Sequence, residues 1–130
     1  MPPIIAIIDD DSDDLELMEE AIRSFNPDAR CLCFPDPVHA LTSLCSPDVN
    51  APECIFIDIN MPKMLGPELL VVLRSHPKFD NVPIAMLSTS MPDHMSRQLL
   101  NSGANYAVQK PYKVEAFAKL IAAVLGTSGA

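Results

Sequence analysis

This chain of 130 residues is poor in basic side chains: nine Lys and Arg stand against seventeen Asp and Glu, for a net charge of −8. Binding to nucleic acid without sequence preference needs a basic surface, so the composition argues against a nucleic-acid partner. Long apolar runs are also missing, because none approaches the roughly 18 residues of a membrane-spanning helix. The first apolar run has no basic segment before it and stops at Asp9, which argues against a secretory signal. We therefore expect a cytoplasmic protein without membrane contact.

Cysteine and histidine patterns typical of metal sites are absent as well. The four cysteines include no CxxC pair, and the three histidines lie far apart without an i,i+4 pair. We expect the thiols to be reduced, buried and inert, and the histidines to lie at the surface or at helix ends.

The remaining composition is that of an ordinary globular protein, with 48% hydrophobic and 20% charged residues. A chain of this length can bury a sizeable core in one domain. We expect a single domain over residues 1–130, with its core at about 4–125 and a disordered tail at 127–130.

Short apolar runs alternate along the chain with longer segments of helical period. Leu15, Met18 and Ile22, for example, recur at spacings of three and four, which predicts a helix with one apolar face. The same reasoning predicts strands at 4–8, 30–34, 53–58, 83–88 and 105–109, and helices at 12–25, 37–45, 67–75, 92–102 and 112–125. Strict alternation of five strands with five helices predicts an α/β fold, with a parallel sheet covered on both faces.

Particular residues mark the expected helix ends. Ser12 is a plausible N-cap for the first helix, and Pro67 suits the first turn of the third. Gly103 is placed to stop the fourth helix, and Gly126 to lie just past the end of the last.

Polar residues at the ends of four apolar runs predict a site. Those residues are Asp9, Asp10, Asp58, Ser88 and Lys110. In doubly wound parallel sheets, ligands bind beyond the carboxyl ends of the strands, where the strand order reverses. With a flavodoxin-like order of 2-1-3-4-5, that point lies between strands 1 and 3, so we expect all five side chains to lie together.

Three carboxylates in one cleft repel one another. Two unit charges about 4 Å apart cost on the order of 1 kcal/mol in water and about 4 kcal/mol at an effective dielectric of roughly 20. A cation should compensate, and carboxylate oxygens with water and phosphate are the ligands that Mg²⁺ prefers. Lys110 would supply a second, fixed cation. The combination suits a divalent metal and a transferable phosphoryl group.

The acidic segment 9–20 allows a simpler interpretation. It holds eight of the seventeen acidic residues, and carboxylates are favourable at a helix N-terminus. Capping and charging of a helix would explain Ser12, Asp13 and Asp14. It would not explain Asp58, which follows a separate apolar run.

Three other kinds of site fit less well. A calcium loop could use Asp9, Asp11, Asp13 and Glu20. However, Asp14 stands where that loop needs Gly, and a strand rather than a helix precedes it. A flavin would want backbone donors to cradle its phosphate after strand 1, but here the loop is acidic. A phosphatase with an Asp-x-Asp nucleophile would need a second acid where Asn60 stands.

At these residues the chain closely resembles the receiver domain of bacterial two-component response regulators, over about residues 4–125. The motifs that carry the resemblance are Ile8-Asp9-Asp10-Asp11, Asp58-Ile59-Asn60-Met61-Pro62-Lys63-Met64 with Gly66, Leu87-Ser88, and Gly103-Ala104-Asn105-Tyr106 with Lys110-Pro111. The run Leu87-Ser88-Thr89-Ser90 looks more weakly like that of stand-alone receivers paired with phytochrome-type or hybrid kinases.

The resemblance implies roles around the metal. Asp58 would be the phosphoacceptor that attacks the phosphohistidine of a partner. Asp10, Asp58 and the Asn60 backbone carbonyl would bind Mg²⁺ directly, and Asp9 would act through water on the metal.

The resemblance also implies how the modification is sensed. Lys110 would pair with Asp58 and then, after phosphorylation, with a phosphoryl oxygen. Ser88 would move inward and form a hydrogen bond to a second phosphoryl oxygen. Tyr106 would follow Ser88 as an aromatic switch. The Lys110–Pro111 peptide bond would be cis.

The expected function is therefore that of a response regulator receiver, not of an enzyme beyond its own phosphorylation and autodephosphorylation. Its partners would be a sensor histidine kinase or a histidine phosphotransfer protein, and a downstream protein target. A homodimer could form through the 92–125 face, which consists of the helix at 92–102, the strand at 105–109 and the last helix. Two alternatives stay open: a receiver-like interaction module that never needs phosphorylation, and a small Mg²⁺-dependent phosphohydrolase.

Overall fold

The computed structural model describes residues 2–127, in which five strands alternate with five α-helices. In chain order the elements are β1 (Ile4–Ile8), α1 (Ser12–Phe25), β2 (Arg30–Phe34), α2 (Pro37–Leu44), β3 (Cys54–Asp58), α3 (Gly66–Arg74), β4 (Ile84–Ser88), α4 (Asp93–Asn101), β5 (Tyr106–Gln109) and α5 (Val114–Thr127). Each predicted boundary is correct to within two residues. A short 3₁₀ helix at Pro77–Phe79, between α3 and β4, was not predicted. None of the helices in residues 2–127 is both long and apolar enough to cross a membrane.

All five strands are parallel, in the order β2-β1-β3-β4-β5. The predicted flavodoxin-like, doubly wound sheet is therefore confirmed. Neighbouring strands end nearly level, because Ile8 pairs with both Phe34 and Ile57, and Asp58 pairs with Leu87. The strand order reverses between β1 and β3, and this is where the predicted site should lie.

Two apolar cores cover the two faces of the sheet, because successive side chains of a strand point to opposite sides. On one face, Ala6, Ile57 and Met86 pack among side chains of α2, α3 and α4. On the other, Ile7 and Phe56 pack among side chains of α1 and α5. The central strands are consequently buried along their whole length, as their continuous apolar sequences indicate.

Two helix ends differ from prediction. The N-cap of α1 is Asp11 rather than Ser12, because the Asp11 carboxylate accepts hydrogen bonds from the backbone N–H groups of Asp13 at 2.9 Å and Asp14 at 3.2 Å. The last helix does not stop before Gly126 but continues to Thr127, so that part of the predicted tail is helical. Residues 128–130, the rest of the tail, lie outside the described residues. Gly103 ends α4 as predicted, with a left-handed φ of 115° that favours glycine.

The Lys110–Pro111 peptide bond is trans, so the expectation of a cis bond was wrong. None of the peptide bonds described is cis. The intrinsic balance of an X–Pro bond favours trans by about 0.5–1 kcal/mol.

All four cysteines are free thiols, as predicted, but only Cys54 is fully buried. Cys31 and Cys33 are half-buried because β2 is an edge strand, and Cys45 because it caps the end of α2. The predicted burial of all four was therefore too strong.

Replacing Phe117 with Ala should destabilise the fold by about 3–5 kcal/mol, the usual cost of removing a buried phenyl ring. Phe117 is fully buried, and its ring centroid lies 5.2 Å from that of Phe56 across the interface between α5 and the sheet. Urea unfolding followed by circular dichroism measures the loss. The control is Val71→Ala, at a position that is 56% exposed on α3. Equal losses in the two variants would contradict the packing described.

Candidate functional site

Among residues 2–126, whose side-chain burial the structure describes, the buried polar side chains all lie at the carboxyl edge of the sheet. They are Asp9, Asp58, Ser88 and Lys110, and each is less than 10% exposed. Asp58 and Ser88 are the last residues of β3 and β4, and Asp9 and Lys110 directly follow β1 and β5. Buried polar groups are costly unless they serve one another or a ligand. Their concentration at one edge therefore marks this edge as the functional site.

Backbone hydrogen bonds extend the strand pairing into the site. The Asp9 N–H donates to Phe34 O at 3.1 Å, and the Lys110 N–H donates to Ser88 O at 2.7 Å. The positions of Asp9 and Lys110 are thus set by the same ladder that forms the sheet.

Gly66 allows the β3–α3 loop to close tightly over the end of β3. Its N–H donates to Ile59 O at 2.9 Å. A Cβ atom at this position would lie 2.6 Å from Asp58 O and 2.7 Å from Ile59 Cα, so a larger residue would displace the backbone of Asp58. The glycine of the sequence motif therefore has a steric role next to the site.

Three carboxylates form the predicted acidic cluster. Asp9, Asp10 and Asp58 each offer an oxygen, and these oxygens all lie within 4.8 Å of one another. Asp10 is exposed, whereas the other two are buried, so the cluster opens to solvent on one side. Carboxylate oxygens at this separation fit a hard divalent cation such as Mg²⁺. Asn60 is exposed directly after Asp58 and Ile59, and its backbone forms a hydrogen bond to the Asp58 carboxylate.

Lys110 contacts three carboxylates. Its Nζ lies 2.8 Å from Asp9 Oδ2, 2.8 Å from Asp14 Oδ2 and 3.5 Å from Asp58 Oδ1. The lysine is therefore bonded more closely to Asp9 and Asp14 than to Asp58. Asp14 was not predicted as a site residue; the sequence assigned it only to the start of α1. Asp14 lies in the first turn of a helix that begins at the site, but this position alone does not distinguish a site residue from an ordinary acid at a helix start.

Burial is the largest influence on the pKa values of the two buried carboxylates, Asp9 and Asp58. Burial raises the pKa of Asp9 above its ordinary value, although hydrogen bonds from Lys110 and the Asp11 backbone act in the opposite direction. Burial also raises the pKa of Asp58, and the nearby charge of Asp9 adds to this effect. The electrostatic repulsion expected from the sequence is thus present.

The pKa of Lys110 is raised as well, but by its carboxylate partners and not by burial. Burial by itself would lower the pKa of Lys110, but the hydrogen bonds to Asp14 and Asp9, together with the charges of Asp9 and Asp58, outweigh burial and raise this pKa above its ordinary value. Lys110 is consequently protonated and positively charged at neutral pH.

Of the two predicted switch residues, the structure brings only Ser88 to the site. The Ser88 hydroxyl oxygen accepts a hydrogen bond from the Ser90 N–H at 3.3 Å. Tyr106 lies at the opposite end of its strand, because it is the first residue of β5 and pairs with Ala85. It is half-buried against the α1–α5 side of the sheet, and its hydroxyl donates to Ala123 O at 3.2 Å.

The alternative calcium loop is not formed. Asp11 is used to cap α1, and Asp9 is bonded to Lys110. Asp13 and Glu20 are exposed on α1 and do not join the acidic cluster.

Fold and site together define a doubly wound α/β protein with an acidic pocket and a buried lysine at the switch point of the sheet. Residues 5–122 match the family model described as the response regulator receiver domain. The chain belongs to this family.

Similar proteins come from two-component signalling. The chain is 26% identical over 93 residues to response regulator Rcp1 of Synechocystis sp., which covers 68% of this chain and 63% of that protein. A structure titled as the Mn²⁺-bound form of Rcp1 superimposes with a TM-score of 0.80 at 21% identity, over 95% of this chain and 91% of that one. The bacteriophytochrome response regulator RtBRR gives a TM-score of 0.79 at 26% identity, over 100% of this chain and 80% of that one.

A third structure is titled as the phosphorylated cyanobacterial phytochrome response regulator RcpA. It gives a TM-score of 0.83 at 20% identity, over 98% of this chain and 94% of that one. At 20–21% identity, the likeness to the RcpA and Rcp1 structures supports the fold alone. The chain spans 4% to 63% of the lengths of the first three curated relatives that it matches.

Replacing Asp58 with Asn should stabilise the metal-free protein at pH 7. The change removes one charge from a repelling cluster, so we expect the free energy of unfolding to rise by about 1 kcal/mol or more. Because the folded pKa of Asp58 is raised, its charge destabilises the protein only above the unfolded pKa of about 3.9. The gain should therefore disappear as the pH falls towards that value.

Urea unfolding at several pH values checks this prediction, with and without Mg²⁺. Mg²⁺ should raise the free energy of unfolding of the wild-type protein by more than that of the Asp58→Asn variant. The control is Asp48→Asn, at an exposed acid away from the site. A gain of the same size in the control, or one that persists in acid, would show that the cluster is not repulsive.

Proposed function

We propose that this receiver domain accepts a phosphoryl group on Asp58 from the phosphohistidine of a partner, and that it signals through protein contacts. The observation that carries the proposal is the position of Asp58. Its carboxylate ends the central strand β3, next to the oxygens of Asp9 and Asp10 and 3.5 Å from the Lys110 ammonium. A buried carboxylate with cationic and metal-binding neighbours can act as a nucleophile towards phosphorus.

In the proposed reaction, a carboxylate oxygen of Asp58 forms a bond to the phosphorus as the phosphorus–nitrogen bond of the phosphohistidine breaks. The electron pair of that bond stays on the imidazole, which takes up a proton. The product is an acyl phosphate on Asp58. Hydrolysis returns the carboxylate and releases inorganic phosphate, and this is the extent of the catalysis that we propose.

The acidic cluster fits Mg²⁺, because three carboxylate oxygens lie within 4.8 Å of one another. Asp10, Asp58 and the Asn60 carbonyl would bind the ion directly, and Asp9 would hold it through water. When bound, Mg²⁺ neutralises negative charge on the carboxylate and the phosphoryl oxygens. The Mn²⁺-bound form of Rcp1 named above supports a divalent metal in this fold.

Ser88 and Lys110 would bind the phosphoryl group once it is on Asp58. The phosphoryl group adds about −1.5 to −2 charges, which attracts the Lys110 ammonium and the Ser88 hydroxyl. A shift of Ser88 would alter its bond to the Ser90 N–H. The 92–125 face, from α4 to α5, would carry this change to a downstream protein or to a second copy of the chain.

The donor would be a sensor histidine kinase or a histidine phosphotransfer protein. Support for a donor of this kind comes from the family and from the phytochrome-type response regulators among its relatives.

Incubation with Mg²⁺ and acetyl phosphate, a small phosphodonor, should add one phosphoryl group to the chain. Intact-mass spectrometry measures the adduct, and peptide mapping after borohydride trapping should locate it on Asp58. Asp58→Asn should take up none, because the nucleophile is missing. Chelation of the metal should abolish the reaction in the unmodified protein.

The matched control is Asp48→Asn, which removes an equal charge outside the site and should react normally. If the wild-type protein forms no adduct, the result would favour the phosphorylation-independent interaction module. An adduct that persists in Asp58→Asn would mean that another residue is the acceptor. Catalytic release of phosphate from an unrelated phosphoester would instead support the phosphohydrolase.

A further inference from the structure

The Lys110 ammonium is shared between two parts of the fold. An ammonium has three N–H donors, and two of them are used at 2.8 Å by Asp9 after β1 and by Asp14 in α1. Asp58 lies farther away, at 3.5 Å, beyond the usual length of a charge-assisted hydrogen bond. Asp14 thus helps to keep the lysine away from the proposed phosphoacceptor.

The two acids that hold Lys110 differ in how easily they can release it. The Asp9 side chain is fully buried, whereas the Asp14 side chain is 27% exposed. Removing the partner of a buried charge is strongly unfavourable, but a partly exposed carboxylate can turn to water. A group that attracts Lys110 towards Asp58 would therefore break the bond to Asp14 first.

We propose that Asp14 is a positioning residue for phosphoryl acceptance. It holds Lys110 on α1 while Asp58 is unmodified, and it releases the lysine to the phosphoryl oxygens once Asp58 carries the group. The inference rests on the proposed function. It assigns to Asp14 a part that helix capping would not explain, because the cap of α1 is the Asp11 carboxylate.

Two consequences follow from this arrangement. With Lys110 held by Asp14, the Asp58 carboxylate stays available for a metal instead of forming a close ion pair. The phosphoryl group must also compete with Asp14 for the lysine. Asp14 therefore lowers the affinity of the pocket for the phosphoryl group. Removing the Asp14 charge should therefore affect metal and phosphoryl binding in opposite directions.

Asp14→Asn should bind beryllium fluoride, a non-covalent mimic of the phosphoryl group, on the order of tenfold more tightly at saturating Mg²⁺. The gain corresponds to about one charge-assisted hydrogen bond that no longer has to be broken. Calorimetric titration measures the affinity. In a Lys110→Met background the same change should give no gain, because the lysine carries the effect.

Without any phosphoryl mimic, Asp14→Asn should bind Mg²⁺ roughly threefold or more weakly, since the freed ammonium moves towards Asp58 and repels the ion. The control for both titrations is Asp13→Asn. Asp13 is exposed in the same turn of α1 and carries the same charge, but the structure gives its side chain no bond to Lys110. Asp14→Glu keeps the carboxylate, so its affinities for beryllium fluoride and Mg²⁺ should stay close to those of the wild-type protein.

A merely structural Asp14 would lower stability without tightening any ligand. The inference is overturned if Asp14→Asn binds beryllium fluoride no better than Asp13→Asn does. If the unmodified protein takes up neither beryllium fluoride nor a phosphoryl group, the proposed function fails, and the Mg²⁺ titration alone decides on Asp14. Equal losses of Mg²⁺ affinity in the two variants would then overturn its link to Lys110.

Discussion

The buried ion pair between Lys110 and Asp9 is the interaction on which the site depends. Its two charged atoms lie 2.8 Å apart, on residues 101 positions apart in the sequence. Neither charge could stay buried without the other, since an unpaired charge in the interior costs several kcal/mol. The pair therefore joins the ends of β1 and β5, two strands that are not neighbours in the sheet, and fixes the width of the cleft that contains Asp58.

The geometry of the sheet makes this pair possible. Parallel strands of equal length that are buried on both faces end together, and the level register of β1, β3 and β4 brings their last residues to one edge. Gly66 then lets the following loop fold back over Asp58 without displacing its backbone. The acidic pocket is thus a consequence of strand register and loop closure, and needs no cap or second domain to form.

The fold and most of the pocket could be predicted because each rests on a local signal. Apolar runs located the strands, and the polar residue that ends each run located Asp58 and Ser88. Asp14 was missed because its closest contact comes from a lysine 96 positions away, which no periodicity reveals. Asp11 took the capping role predicted for Ser12 because both residue types cap helices well, and only the backbone geometry distinguishes them. Tyr106 was grouped with the pocket by resemblance, but it is the first residue of β5 and lies away from that edge.

Under the proposed function, charge balance explains why this pocket can respond to one modification. The pocket contains one ammonium and four carboxylates, those of Asp9, Asp10, Asp14 and Asp58, so the ionised pocket carries an excess of negative charge before any metal binds. A divalent ion reduces this excess of negative charge, and a phosphoryl group increases it again. Lys110 is then the charged side chain that can change its position in response. Asp9 keeps the ammonium inside the pocket, and Asp14 ties it to α1. Movement of the lysine between Asp14 and Asp58 would therefore couple the chemistry at β3 to α1 as well as to the 92–125 face.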